Sequence, residues 1–209
     1  MDSLSSEFIK DRLSSPWDLG NDVLYKLCAD HPLHGDPQAI LAKTMFIGRI
    51  YAAAIERRRK TPEGLAGGDD FYTGPIVDTF KRGGLDKHLR KLSGLNAGAA
   101  FEILEAHKAL VDMLHGITGL EKRSFASKYL HFHFREMFFI YDSRAVKELK
   151  GYVRKVPKEY GHLLDPGRVD VEYAKFFCKC LHLQGIARSR YKGSPMEITP
   201  RVIDNILIR

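Results

Sequence analysis

Apolar residues along this chain recur at intervals of three and four, seldom two, and that periodicity commits it to helices. Ile40, Leu41, Thr44, Ile47, Tyr51 and Ile55 fall along one side of a helix opening at Asp36-Pro37. There an aspartate can cap the free backbone amides and a proline fits the first helical position. The far end of this helix enters the basic run Arg57-Arg58-Arg59-Lys60, and a Gly-rich stretch to Asp70 then reads as a flexible loop. A second helix is predicted from about Ala97 to Leu114, with Phe101, Leu104, Lys108, Val111 and Leu114 on one face and a stop at Gly116. A third begins near Lys122 and carries Phe125, Tyr129 and Phe132, and a fourth starts at Asp142 or Ser143. Two more follow, about Val171 to Leu183 and Ile198 to Ile208. No alternating run is long enough for a sheet, and Phe138 to Tyr141 reads as a buried extended segment or turn. The fold class predicted is all-α.

A chain of 209 residues, 44% hydrophobic and 28% charged, is long enough for one domain over 1–209 and too apolar for disorder. The longest unbroken apolar run, Ile50 to Ile55, is too short to cross a bilayer. The first residues lack the basic flank and apolar stretch of a secretory signal. Three cysteines, Cys28, Cys178 and Cys180, leave one over after any pairing, which suits a reducing compartment. A cytoplasmic monomer without a membrane partner is expected. The net charge of +7 favours an anionic partner, because neutralising phosphates releases condensed counterions. Its cations concentrate in Arg57-Arg58-Arg59-Lys60 and in Arg188-Ser189-Arg190-Tyr191-Lys192. Each run is a solvated face or a phosphate contact; Arg57, Arg58, Arg59, Arg188 and Arg190 are the DNA-binding choices.

The most informative stretch runs from Leu110 to Val146: helix, Gly-containing turn, helix, then an apolar run ending in Tyr141-Asp142-Ser143-Arg144-Ala145. A turn such as His115-Gly116-Ile117-Thr118-Gly119 lets backbone amides approach a phosphate closely. A carboxylate arriving against apolar walls, as Asp142 does, is costly unless it is paired or used. Asp142 can equally cap the next helix. His131 and His133, two apart on a helix, do not share a face, so they make a poor metal pair. Cys178-Lys179-Cys180 reads as buried thiols. No phosphate-binding loop, serine-nucleophile elbow or His-Glu-x-x-His helix is present, and neither metal nor cofactor is expected. Trp17 is assigned to the core; Phe71, Tyr72 and Tyr191, set among Gly and charged residues, are the candidates for stacking on bases.

The run Ser-Phe-Ala-Ser-Lys-Tyr-Leu-His-Phe-His, Ser124 to His133, followed by Ile-Tyr-Asp-Ser, Ile140 to Ser143, resembles a known family. It is similar to the helix-hairpin-helix DNA glycosylase superfamily, and most to small bacterial proteins with the 8-oxoguanine glycosylase fold. The resemblance implies helices packed as two lobes with a cleft, a hairpin over about 110–146, and DNA as partner. Asp142 then matches the aspartate that stabilises the oxocarbenium sugar or activates the nucleophile. Ala126 fits the small-residue slot of the second hairpin helix. The slot of the Schiff-base lysine holds Ser124, so Lys122, two residues earlier, or Lys128, one turn later, would supply the amine. With no such amine, water would act with Asp142. His115, Gly116, Thr118 and Gly119 would hold a phosphate. The implied activity is N-glycosylase, with or without lyase action; the alternatives are a catalytically silent nucleic-acid-binding module or a partner-binding component of a bacterial defence operon.

Overall fold

The computed structural model describes residues 4–57 and 68–208. Arg58 and Arg59 lie outside the described residues. The elements are helices α1 (Ser6–Arg12), α2 (Asp18–Asp30), α3 (Pro37–Met45), α4 (Gly68–Phe71), α5 (Val77–Arg82) and α6 (Leu85–Ser93). Then come α7 (Ala100–Thr118), α8 (Arg123–His133), α9 (Ser143–Tyr152), α10 (Val171–Arg190) and α11 (Pro200–Ile208). No strand occurs among the described residues, so the chain is all-α.

Caps begin the helices where side-chain oxygens meet free amides. Asp36 accepts from Gln38 N with Pro37 next, Asp142 accepts from Arg144 N, and Asp170 accepts from Tyr173 N. Behind them one apolar core runs from Leu4 to Leu207, and α8 contributes Phe125, Ala126, Tyr129, Leu130 and Phe132 to it. Phe138, Phe139 and Ile140 form the expected buried, non-helical segment between α8 and α9.

Four sequence expectations need correction. The helix from Pro37 does not reach Ile55: it widens into a π-helical turn at Phe46–Ile50 and ends at Tyr51. Gly48 sits in that turn, where an added Cβ would strike the Tyr72 hydroxyl. Tyr72 uses the space to accept from Ile55 N at 3.3 Å and donate to Glu56 at 2.7 Å, holding the chain after Tyr51 out of helix. Ala52 takes a left-handed φ of 53° there. The helix of the hairpin also runs through Gly116 to Thr118, because the left-handed position that ends it is Gly119, at φ 65°. Phe71 and Tyr72 are fully buried and belong to the core, so neither can stack on a base. Trp17, assigned to the core, is 65% exposed.

Candidate functional site

A cleft of about 660 Å³ opens where three pieces of chain meet: the non-helical stretch after Tyr51, the start of α8 and the start of α9. Its lining brings together Lys122, Ser124 and Asp142 with Arg57, Arg123 and Tyr141. Three of the catalytic choices made from sequence, Lys122, Ser124 and Asp142, line one cavity; Lys128, one turn further along α8, does not line it but contacts Ser124, which does. The Lys128 ammonium donates to Ser124 Oγ at 3.2 Å and to the Tyr51 carbonyl at 3.0 Å, and lies 3.9 Å from Asp142 Oδ2.

The run Ser124 to His133 explains why these groups meet. Ser127, on the next position of the helix from the apolar Ala126, accepts from Tyr141 N at 2.9 Å and donates to Ser124 O at 3.2 Å. His131 Nδ1 donates to the Phe138 carbonyl at 2.8 Å, so Nε2 is the acceptor for the Tyr25 hydroxyl at 2.6 Å. Tyr173 on α10 donates to the Phe139 carbonyl at 2.9 Å. Three side chains thus satisfy the backbone of an apolar segment that has no helix of its own, and Asp142 follows it into the cleft. Tyr129 and His133 face the other way, into a buried group with His34, Asp86 and Lys43.

Lys128 is buried, and desolvation pulls its ammonium below the ordinary lysine value against the upward pull of Asp142 and Asp204. Asp204, on α11 beneath the site, was not anticipated. Burial pushes its carboxyl up to about 6, opposed by Arg201 and Lys128. Its Oδ2 accepts from Arg201 at 2.7 Å, while Oδ1 is buried without a hydrogen-bond partner. A signal for it existed: Asp204-Asn205 interrupts an otherwise apolar helical pattern, which marks polar groups carried into a core.

The other cations are tethered. Lys122 donates to the carbonyls of Ala54 at 3.3 Å and Arg57 at 2.7 Å. Arg123 grips both oxygens of Asp170 at 2.8 Å. Arg57 is exposed at the rim. Of the turn residues chosen for phosphate, His115 and Gly116 are exposed on the last turn of α7, and His115 lies 3.3 Å from Glu121. Thr118 is buried, its hydroxyl donating to Leu114 O at 2.7 Å and accepting from Leu120 N at 3.2 Å, so it caps the helix and offers nothing to a ligand. Arg188 and Arg190 do not line the cleft; Arg188 donates to Ile198 O at 3.0 Å, and Tyr191 donates to Leu4 O at 2.5 Å. Cys178 and Cys180 are buried thiols, and among the described residues no three His, Cys, Asp or Glu side chains gather as a metal would need. No described helix is long and apolar enough to cross a membrane.

None of the family models, curated proteins or solved structures compared with the chain matches it.

Proposed function

We propose that the chain is a DNA N-glycosylase-like enzyme whose amine is Lys128 and whose carboxylate is Asp142. The supporting observation is that the Lys128 ammonium donates to Ser124 and lies 3.9 Å from Asp142, two residues that line one cleft. In the resembling family the reactive lysine occupies the position of Ser124. Here the next turn of the helix delivers an amine to that hydroxyl, and burial favours the neutral amine that nucleophilic attack requires. Lys122, held by two carbonyls at the rim, is the second choice.

In the reaction the base, turned out of the stack, leaves with the electron pair of its glycosidic bond and takes a proton from solvent. Asp142 stabilises the positive charge that grows on the sugar. The neutral Lys128 amine bonds to C1′ and becomes a secondary ammonium, which releases one proton to solvent. The nitrogen lone pair then expels the ring oxygen, which takes a proton from solvent, and leaves a protonated imine that water hydrolyses.

Borohydride trapping on a panel of damaged-base and abasic-site duplexes tests the reading. A covalent adduct with the unaltered protein and with Lys122→Ala, but not with Lys128→Ala, is expected. Asp142→Asn should abolish base release while DNA affinity stays. Free base without an adduct would assign the attack to water. No base release from any substrate would overturn the enzyme reading and leave a nucleic-acid-binding module.

A further inference from the structure

The cleft does not end at Asp142. Tyr141 and Val146, on one wall of it, are also the near wall of a second groove, about 210 Å³, between α9 and α10. The cations of that groove are Lys150 from α9 and Lys175 and Lys179 from α10. Its one acidic lining residue, Glu172, is already paired with Lys175 at 2.8 Å. Lys179 donates to the Arg154 carbonyl at 3.0 Å, which fixes its ammonium near the end of α9. Lys150 has no ion-pair partner among the described residues, and neither has Lys147, exposed one turn earlier on α9. The Tyr141 ring stands edge-on to Phe176 at 5.2 Å, which holds it at the junction of the two cavities.

These cations form a surface distinct from either basic run of the sequence. They are lysines, point charges suited to phosphate and indifferent to base identity. An extruded base also leaves its own strand no choice of route: the phosphates next to the flipped nucleotide must run over whatever borders the pocket. Beyond the Tyr141 wall, that border is the α9–α10 groove.

We infer that this groove carries the phosphodiester backbone of the DNA strand whose base occupies the cleft. The inference rests on the glycosylase reading above, and its test separates the two. Anisotropy of a fluorescein-labelled duplex with an abasic-site analogue measures affinity across a salt series. The variant carries Lys147→Glu, Lys150→Glu and Lys175→Glu. A control carries Lys10→Glu, Lys81→Glu and Lys87→Glu, the same change of net charge at exposed positions outside the groove. The groove variant should lose at least tenfold in affinity. Its salt slope should flatten by about two to three, near 0.9 for each phosphate that a lysine no longer neutralises. The control should lose far less, and both should melt as the unaltered protein does. Equal losses in the two variants, or an unchanged groove variant, would overturn the groove and leave the site reading standing. Groove-dependent binding without base release would support the groove and sink the chemistry. No binding by the unaltered protein would overturn both.

Discussion

The ammonium of Lys128 lies 3.9 Å from the carboxylate of Asp142, and the pair meets because the chain between them is pinned to α8 and α10. Ser127 and His131 hold Tyr141 and Phe138 by their backbones, and Tyr173 holds Phe139. The pair is therefore set by polar side chains buried behind it, which cannot relax without exposing an apolar segment.

Lys128 should titrate below the ordinary lysine value, since burial disfavours its ammonium. Competitive acetylation across pH, read on the Lys128 peptide, measures this. Asp204 favours the charged amine, so Asp204→Asn should move the Lys128 midpoint further down. A midpoint that moves up, or stays where it was, would remove Asp204 from the site.

Asp142 carries two duties that substitutions can separate. Asparagine keeps an acceptor for Arg144 N, so Asp142→Asn should melt within a few tenths of a kcal/mol of the unaltered protein. Asp142→Ala, which leaves α9 uncapped, should cost about 1 kcal/mol in denaturant unfolding. If the two variants are equally destabilised, the carboxylate matters to the fold chiefly through Lys128.

His107 is fully buried, stacked on Tyr173 at a ring separation of 3.5 Å, and desolvation pushes its pKa down to about 3. The unfolded chain binds that proton near pH 6.5, the folded chain only near 3. Stability from this group is therefore complete above pH 6.5 and is lost as pH falls toward 3, by on the order of several kcal/mol. His107→Phe keeps a ring on Tyr173 and removes the titration. Its unfolding free energy should fall less steeply than that of the unaltered protein as the pH drops below the ordinary histidine range.

Trp17 is the chain's one tryptophan, so emission reports on it alone. With 65% of it exposed, its fluorescence should be red-shifted and freely quenched by iodide, and Trp17→Ala should change stability by under about 0.5 kcal/mol. A blue-shifted, protected signal would contradict the exposed position of Trp17.

Several helix positions were legible from local signals, although α1, capped by Ser5, and α2, α4, α5 and α6 were not read from the sequence. Asp36-Pro37 and Asp142 begin helices through caps that need only neighbouring residues, and the apolar spacing of α7, α8, α10 and α11 follows from which face is buried. The motif Ser124 to His133 led to the cleft because its polar residues serve the segment and the site together. Long-range contacts were not legible. Ile47, Tyr51 and Ile55 keep helical spacing across a helix that stops at Tyr51, since the hydroxyl that holds the chain open comes from Tyr72. Phe71 and Tyr72 stand among glycines and acids, yet both fill the core, because composition reports exposure only on average. Asp204 waits on the packing of α11 against α9 to become part of the site.

The broken end of α3 has a genetic consequence. Once the chain leaves the helix at Tyr51, the carbonyls of Tyr51, Ala54 and Arg57 are freed from helical bonding, and they receive Lys128 and Lys122. Every residue type presents the same carbonyl, so point substitutions at those three positions cannot delete the acceptors. The tethers of both amines are written in the path of the chain rather than in its letters. Drift in this segment can alter the rim of the cleft while its cations keep their moorings.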